Sequence, residues 1–108
     1  MNEHRNLITY DLKYGTNCFF IDVEEGSELM EIIAEEDENG TVYHKAWCIT
    51  IPGLPMTRRF FEFICPGYTI FNRLELEYVG ALMVGDRVEC LVFENIVMRE
   101  NYKKEQAA

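Results

Sequence analysis

Six glycines divide the chain at nearly even intervals. Gly15, Gly26, Gly40, Gly53, Gly67 and Gly80 are separated by 11, 14, 13, 14 and 13 residues, and Asn39, Pro52 and Pro66 stand directly before three of them. Glycine reaches positive φ without steric cost, and proline presets the first central position of a turn, so each site is a place for the backbone to reverse. The stretches between them have room for strands of about seven to ten residues. This rhythm predicts a meander, sandwich or barrel. No repeated sequence accompanies the spacing, so a solenoid is excluded.

The hydrophobic pattern agrees. In Tyr68–Met98, the stretch expected to form the centre of the fold, Ile70, Leu74, Leu76 and Tyr78 fall on one parity, with Arg73, Glu75 and Glu77 on the other. Val88, Cys90 and Val92 then alternate with Arg87 and Glu89, before the pattern turns apolar on both sides through Phe93, Ile96 and Val97. Period two marks strands with one buried face, and the change of pattern reads as a strand buried on both faces or one carrying a bulge near Glu94-Asn95. The glycines between Val79 and Asp86 are read as the link between the two strands. Upstream, Asn17–Val23 and Thr41–Ile51 read as strands, and Arg58–Cys65 as a strand or short helix stopped by Pro66-Gly67. Residues 28–38 combine helical spacing of Leu29, Ile32 and Ile33 with good helix formers. A helix there would gather Glu35, Glu36, Asp37 and Glu38 at the negative end of its dipole, and Asn39-Gly40 favours a hairpin instead. The expected fold is all-β or β-dominated α+β: one domain over residues 1–98, a barrel or sandwich of about six or seven mostly antiparallel strands, and a polar tail over residues 99–108.

At 108 residues, with 48% apolar and 27% charged residues, the chain can bury a core without staples. No apolar run reaches bilayer length, and the first residues lack the apolar stretch of a signal peptide. Cys18, Cys48, Cys65 and Cys90 are widely spaced within or beside apolar runs, which reads as reduced thiols in a cytoplasmic protein. The net charge of −9 lies in the first half: residues 1–55 hold 11 acids and 3 bases, residues 56–108 hold 8 and 7. Direct nucleic-acid binding is not expected, because phosphate affinity comes from Lys and Arg.

Motifs for chemistry fail on their own residues. Glu35–Ala46 has the early oxygen ligands of a calcium loop but ends on Ala46, where a bidentate Glu is required. Gly80 and Gly85 have phosphate-loop spacing, yet Asp86 and Arg87 follow where Lys and Ser or Thr are needed. On a strand His44 and Cys48 lie about 13 Å apart, too far to share a metal. Ser27 is the single serine, and nothing in the spacing brings it to His4 or His44. The expectation is a protein without catalytic residues, metal or cofactor.

Two surfaces stand out. Nine acids and no base lie between Asp22 and Glu38. The plain account is a solvated hairpin edge. The sharper one is a carboxylate row, comprising Glu24, Glu25, Glu28, Glu31, Glu35, Glu36, Asp37 and Glu38, presented to a partner protein with a basic surface. Phage anti-restriction inhibitors and toxin-immunity proteins work in this manner, which suggests an inhibitor of a nucleic-acid-handling enzyme. The second surface is Arg58, Arg59, Phe60 and Phe61, where one phenylalanine must face outward on a strand. It would join copies of the chain if the protein were a self-assembling barrel scaffold or virion component. A small-molecule-binding barrel is the remaining alternative, with Phe20, Trp47 and Phe61 lining its cavity. Trp47 and Tyr43 share a face and are expected in the core.

Overall fold

The structure is a computed structural model and describes residues 4–15 and 18–107. Its elements are β1 (Asn6–Asp11), β2 (Lys13–Tyr14), β3 (Phe19–Glu24), β4 (Glu28–Glu36), β5 (Val42–Thr50), β6 (Met56–Ile64), β7 (Leu76–Val84), β8 (Arg87–Asn95) and α1 (Ile96–Ala107). A 3₁₀ turn, Arg73–Glu75, precedes β7. The strands form one sheet in the order β1-β5-β4-β7-β8-β6-β3-β2. Its two outer members are successive pieces of one segment, parted only at Leu12, whose amide donates to His44 O at 2.9 Å. The first piece pairs with β5, Thr9 opposite Trp47; the second pairs with β3, Lys13 opposite Phe20. The sheet thereby curls into a nearly closed barrel. With β1 and β2 taken as one staff the ring has seven strands, within the range expected from the glycine rhythm; counted separately there are eight.

Neighbouring strands are antiparallel except β4 and β7, which run parallel and share the single register pair Ile33–Met83. Ile21, Val23, Ile32, Ala46, Cys48, Phe61, Leu82, Cys90 and Val92 fill the interior. Strand period two puts them on one face of each strand from β3 to β8.

The turns follow their residues. The β4–β5 hairpin closes with Asp37 N donating to Thr41 O at 3.0 Å and Gly40 N donating to Asp37 O at 3.1 Å. Gly40 sits at φ +80°, the left-handed position that ends such a loop. After β6, Tyr68 N donates to Cys65 O at 3.1 Å across Pro66-Gly67, with Gly67 at φ +88°. That is a type II turn.

Within residues 28–38 the chain is strand over Glu28–Glu36 and turns after it, as the hairpin reading expected, whereas several expectations for the later chain are corrected. Residues 68–75 are not strand: the turn at Pro66-Gly67 and the 3₁₀ turn occupy them, and the parity of Ile70 and Leu74 does not report burial, since both are exposed. Gly80 lies inside β7 at a register shift, and the hairpin turns instead at Gly85-Asp86, between the paired Val84 and Arg87. A glycine in a strand accommodates such a bulge, and at the end of β8 Val92 to Asn95 are buried in succession, which fits the alternative of a strand covered on both faces. The final strand ends at Asn95, where Asn95 Oδ1 accepts the Met98 amide at 2.9 Å. An N-cap of this kind starts a helix, so of the two expectations for the polar tail, fraying or a helix, the helix is the one present, and it begins earlier, at Ile96. Tyr102 packs its ring 6.1 Å from Phe60, holding the helix against β6. Of the expected strand from Asn17 to Val23, Asn17 lies outside the described residues.

Candidate functional site

The acidic row runs from the end of β3 through β4 into the turn after it. β4 is an inner staff between β5 and β7, so the account of the row as a hairpin edge is corrected. Most of its carboxylates are already engaged. Asp22 accepts two bonds from Arg58, at 2.8 and 3.1 Å, and that bond holds its carboxyl below the usual range. Glu24 accepts from Tyr10 Oη at 2.6 Å. Glu25 pairs with Lys103, Glu28 with Arg5 and Glu35 with Lys45. Asp37 accepts the amides of Asn39 and Thr41 at 2.8 and 2.9 Å, and the Thr41 bond leads in lowering its pKa. This Asp is committed to the hairpin turn rather than to a cation or a partner. Glu31, Glu36 and Glu38 remain exposed with no bonded partner among the described residues.

The second expected surface divides. Phe61 is fully buried in the barrel, which corrects its assignment to an interface. Arg59 also turns inward. Its Nε and Nη2 donate to Glu94 at 2.8 and 2.6 Å, and its Nη1 to Ser27 O at 2.7 Å. Glu94 is 2% exposed, and Arg99 of α1 reaches its other side at 3.2 Å. A bidentate guanidinium with a second arginine is what allows a carboxylate to sit so deep. Arg58 and Phe60 face outward, yet they are covered: the Arg58 guanidinium lies 4.2 Å over Phe20, and Phe60 meets Tyr102.

Trp47 and Tyr43 do share a face, but it is the outer one. Tyr43 is half exposed, and Trp47 lies between Thr9 and Glu31 in register, which corrects their expected place in the core. Phe20 also faces out while Phe61 faces in, so Phe20, Trp47 and Phe61 do not line one cavity. His44 packs against the rings of Phe19 and Phe63 at 5.4 and 5.2 Å, and burial lowers its pKa. Burial pushes the Cys48 thiol up to about 11. Among the described residues no group of three or more His, Cys, Asp or Glu is placed to hold a metal.

A surface that the sequence reading assigned to the sheet is instead the most exposed apolar feature of the molecule. Between β6 and β7 the chain carries Tyr68, Phe71 and Leu74 at 69%, 92% and 101% exposure. This ridge is held in place by its neighbours. Asn72 Nδ2 donates to Glu62 Oε2 at 2.9 Å, and the same oxygen accepts from Asn95 Nδ2 at 3.0 Å, tying the loop to the end of β8. The 3₁₀ turn closes through Glu75 N to Asn72 O at 2.9 Å, and Arg73 Nη1 donates to Leu76 O at 3.0 Å. Grooves flank it on both sides. One, of about 310 Å³, runs between the ridge and Tyr14, Phe19 and Phe63. The other, of about 370 Å³, runs between it and Val88, Cys90 and Leu91. Glu62 lines the first groove and Glu89 the second.

No protein-family model, no curated protein and no solved structure matches the chain. No helix among the described residues is long and apolar enough to cross a membrane.

Proposed function

We propose that the protein is a non-enzymatic, acidic protein-binding module that docks the ridge Tyr68–Leu74 into a partner protein whose apolar cleft has a basic rim. The observation that carries this reading is the exposure of Phe71 and Leu74 on a loop anchored through Glu62. A large apolar side chain held in water at full exposure costs solvation, and anchoring it removes the entropy that binding would otherwise take. Aromatic anchors of this kind carry most of the energy in protein interfaces. The acids around the ridge and the net charge of −9 favour a basic rim over a second acidic copy. The unpaired Glu31, Glu36 and Glu38 act in steering the encounter rather than in contact. An inhibitor of a nucleic-acid-handling enzyme is one occupant of this description, since such enzymes present basic clefts.

The test compares three forms as bait in a lysate of the source cells: wild type, Phe71→Ala/Leu74→Ala, and Glu36→Gln/Glu38→Gln. Sedimentation of the purified protein runs alongside. A partner held by wild type, lost at least tenfold from the Phe71/Leu74 variant and released with rising salt supports the reading. A partner held equally by the Phe71/Leu74 variant overturns it. So does recovery of the chain alone as a defined oligomer that the variant dissociates, which would make the ridge the contact of a self-assembling scaffold.

A further inference from the structure

The four cysteines are unpaired thiols in the structure, but they are not equivalent. In the β6–β8 ladder, Phe61 stands opposite Glu94, Phe63 opposite Val92 and Ile64 opposite Leu91. The next step along the same ladder sets Cys65 opposite Cys90. Facing residues of an antiparallel pair have Cα atoms about 4.5 or 5.5 Å apart, and both separations fall inside the range that a disulfide spans. The side chains point the same way, since Cys65 shares the parity of Phe61 and Phe63 and packs against the core cluster that holds Cys90, and Cys65 is one of the groups that raise the Cys90 pKa. Both also line the groove beside the ridge, where Cys65 is partly exposed and Cys90 is buried beneath it. Cys18 and Cys48 are buried and have no facing cysteine.

We infer that Cys65 and Cys90 are a reactive dithiol pair that closes to an intramolecular disulfide when the protein meets a small disulfide oxidant such as oxidised glutathione. The Cys65 thiolate attacks one sulfur of the oxidant, forms a mixed disulfide and expels one glutathione thiolate. Cys90, deprotonated, then attacks the Cys65 sulfur, breaks the mixed disulfide and releases the second glutathione. Two electrons pass from the protein to the oxidant, and two thiol protons leave. Only Cys65 has to be reached from solvent; Cys90 acts from within. Burial and the neighbouring Cys65 push the Cys90 thiol up to about 11, so the second step quickens as pH rises.

The protein is equilibrated with glutathione and oxidised glutathione over a series of ratios, the remaining thiols are blocked by alkylation, and the intact and digested chains are weighed. The expected monomer loses the mass of two hydrogen atoms and carries alkyl groups on Cys18 and Cys48 only, with one cross-linked peptide joining Cys65 to Cys90. Cys90→Ser is expected to stop at a glutathione adduct on Cys65. Four alkylated cysteines at every ratio would overturn the inference, as would a wild-type chain that stops at the Cys65 adduct or cross-links another pair. The wild-type result stands whether or not the serine variant folds.

Discussion

Arg58 and Arg59 are neighbours of the same type with opposite fates. The alternation of β6 sends Arg58 outward to Asp22, a pair whose side chains are each about one-third exposed, and Arg59 inward to Glu94, which is 2% exposed. Truncating Arg59 leaves a carboxylate in the barrel with only Arg99 to answer it. Arg59→Ala is therefore expected to destabilise the fold by roughly 3–5 kcal/mol. Arg58→Ala, whose pair is screened by water, is expected to cost about 1 kcal/mol. Urea unfolding of the two variants measures the contrast; similar midpoints would mean that the inner pair carries little. Part of this was legible in the sequence. Glu94 falls on the same parity as Cys90 and Val92, an acid at a core position, which asks for an internal base. The base could not be named, because pairing β6 with β8 needs the sheet order, and turn residues do not encode which strands become neighbours.

At the level of elements, the regular turns and alternating strands carried most of the information. β3 and β5 were readable as apolar stretches between turns, β6 only as a strand or short helix, and β4 because Asn39-Gly40 outweighed the helical spacing before it. The errors share one cause: a local pattern with two readings. Ile70 and Leu74 have strand parity, yet Asn72 bonds to Glu62 and the segment folds into the ridge. The helix signal at Asn95 was an N-cap residue before a run of helix formers, hidden because Ile96 and Val97 extend the apolar strand. The opening segment was missed altogether, although Leu7, Ile8, Tyr10, Leu12 and Tyr14 make it as apolar as the other strands: no turn glycine marks its start, and its place comes from pairing to β5 and β3 at once. That double pairing makes it the closing staff of the ring. Deleting residues 4–14 is expected to leave β5 and β3 as bare edges and to make the protein aggregate. Light scattering checks this; a monomeric, cooperatively unfolding deletion variant would show that the ring does not depend on its closing staff.

For the whole molecule, the buried acids of high pKa set an alkaline limit. Burial lifts the Cys48 thiol from 9.0 to about 11, and burial together with the bond to Glu24 lifts the Tyr10 hydroxyl from 10.0 to about 12. In the unfolded chain both groups lose their protons first. Their contribution to stability is therefore intact below pH 9 and is lost as pH climbs through 11 and 12. Urea midpoints followed upward from about pH 8 are expected to hold and then fall, and Cys48→Ala is expected to shallow the first part of the decline. A flat profile to about pH 11 would contradict the burial of both groups.

The ring is also unequal around its circumference. β7 and β8, β4 and β5, and β1 and β5 are laced by long ladders, whereas β4 and β7 touch in register only at Ile33 and Met83. A cleft of about 330 Å³ opens beside that point, walled by Met30, Ile32, Val79 and Ala81. Fewer ladder bonds must be broken to part these two strands than any of the longer-laced pairs. In mechanical terms the barrel is a cylinder laced unevenly, with short ladders at β4–β7 and at β2–β3, and deformation imposed elsewhere on the wall relaxes along those lines.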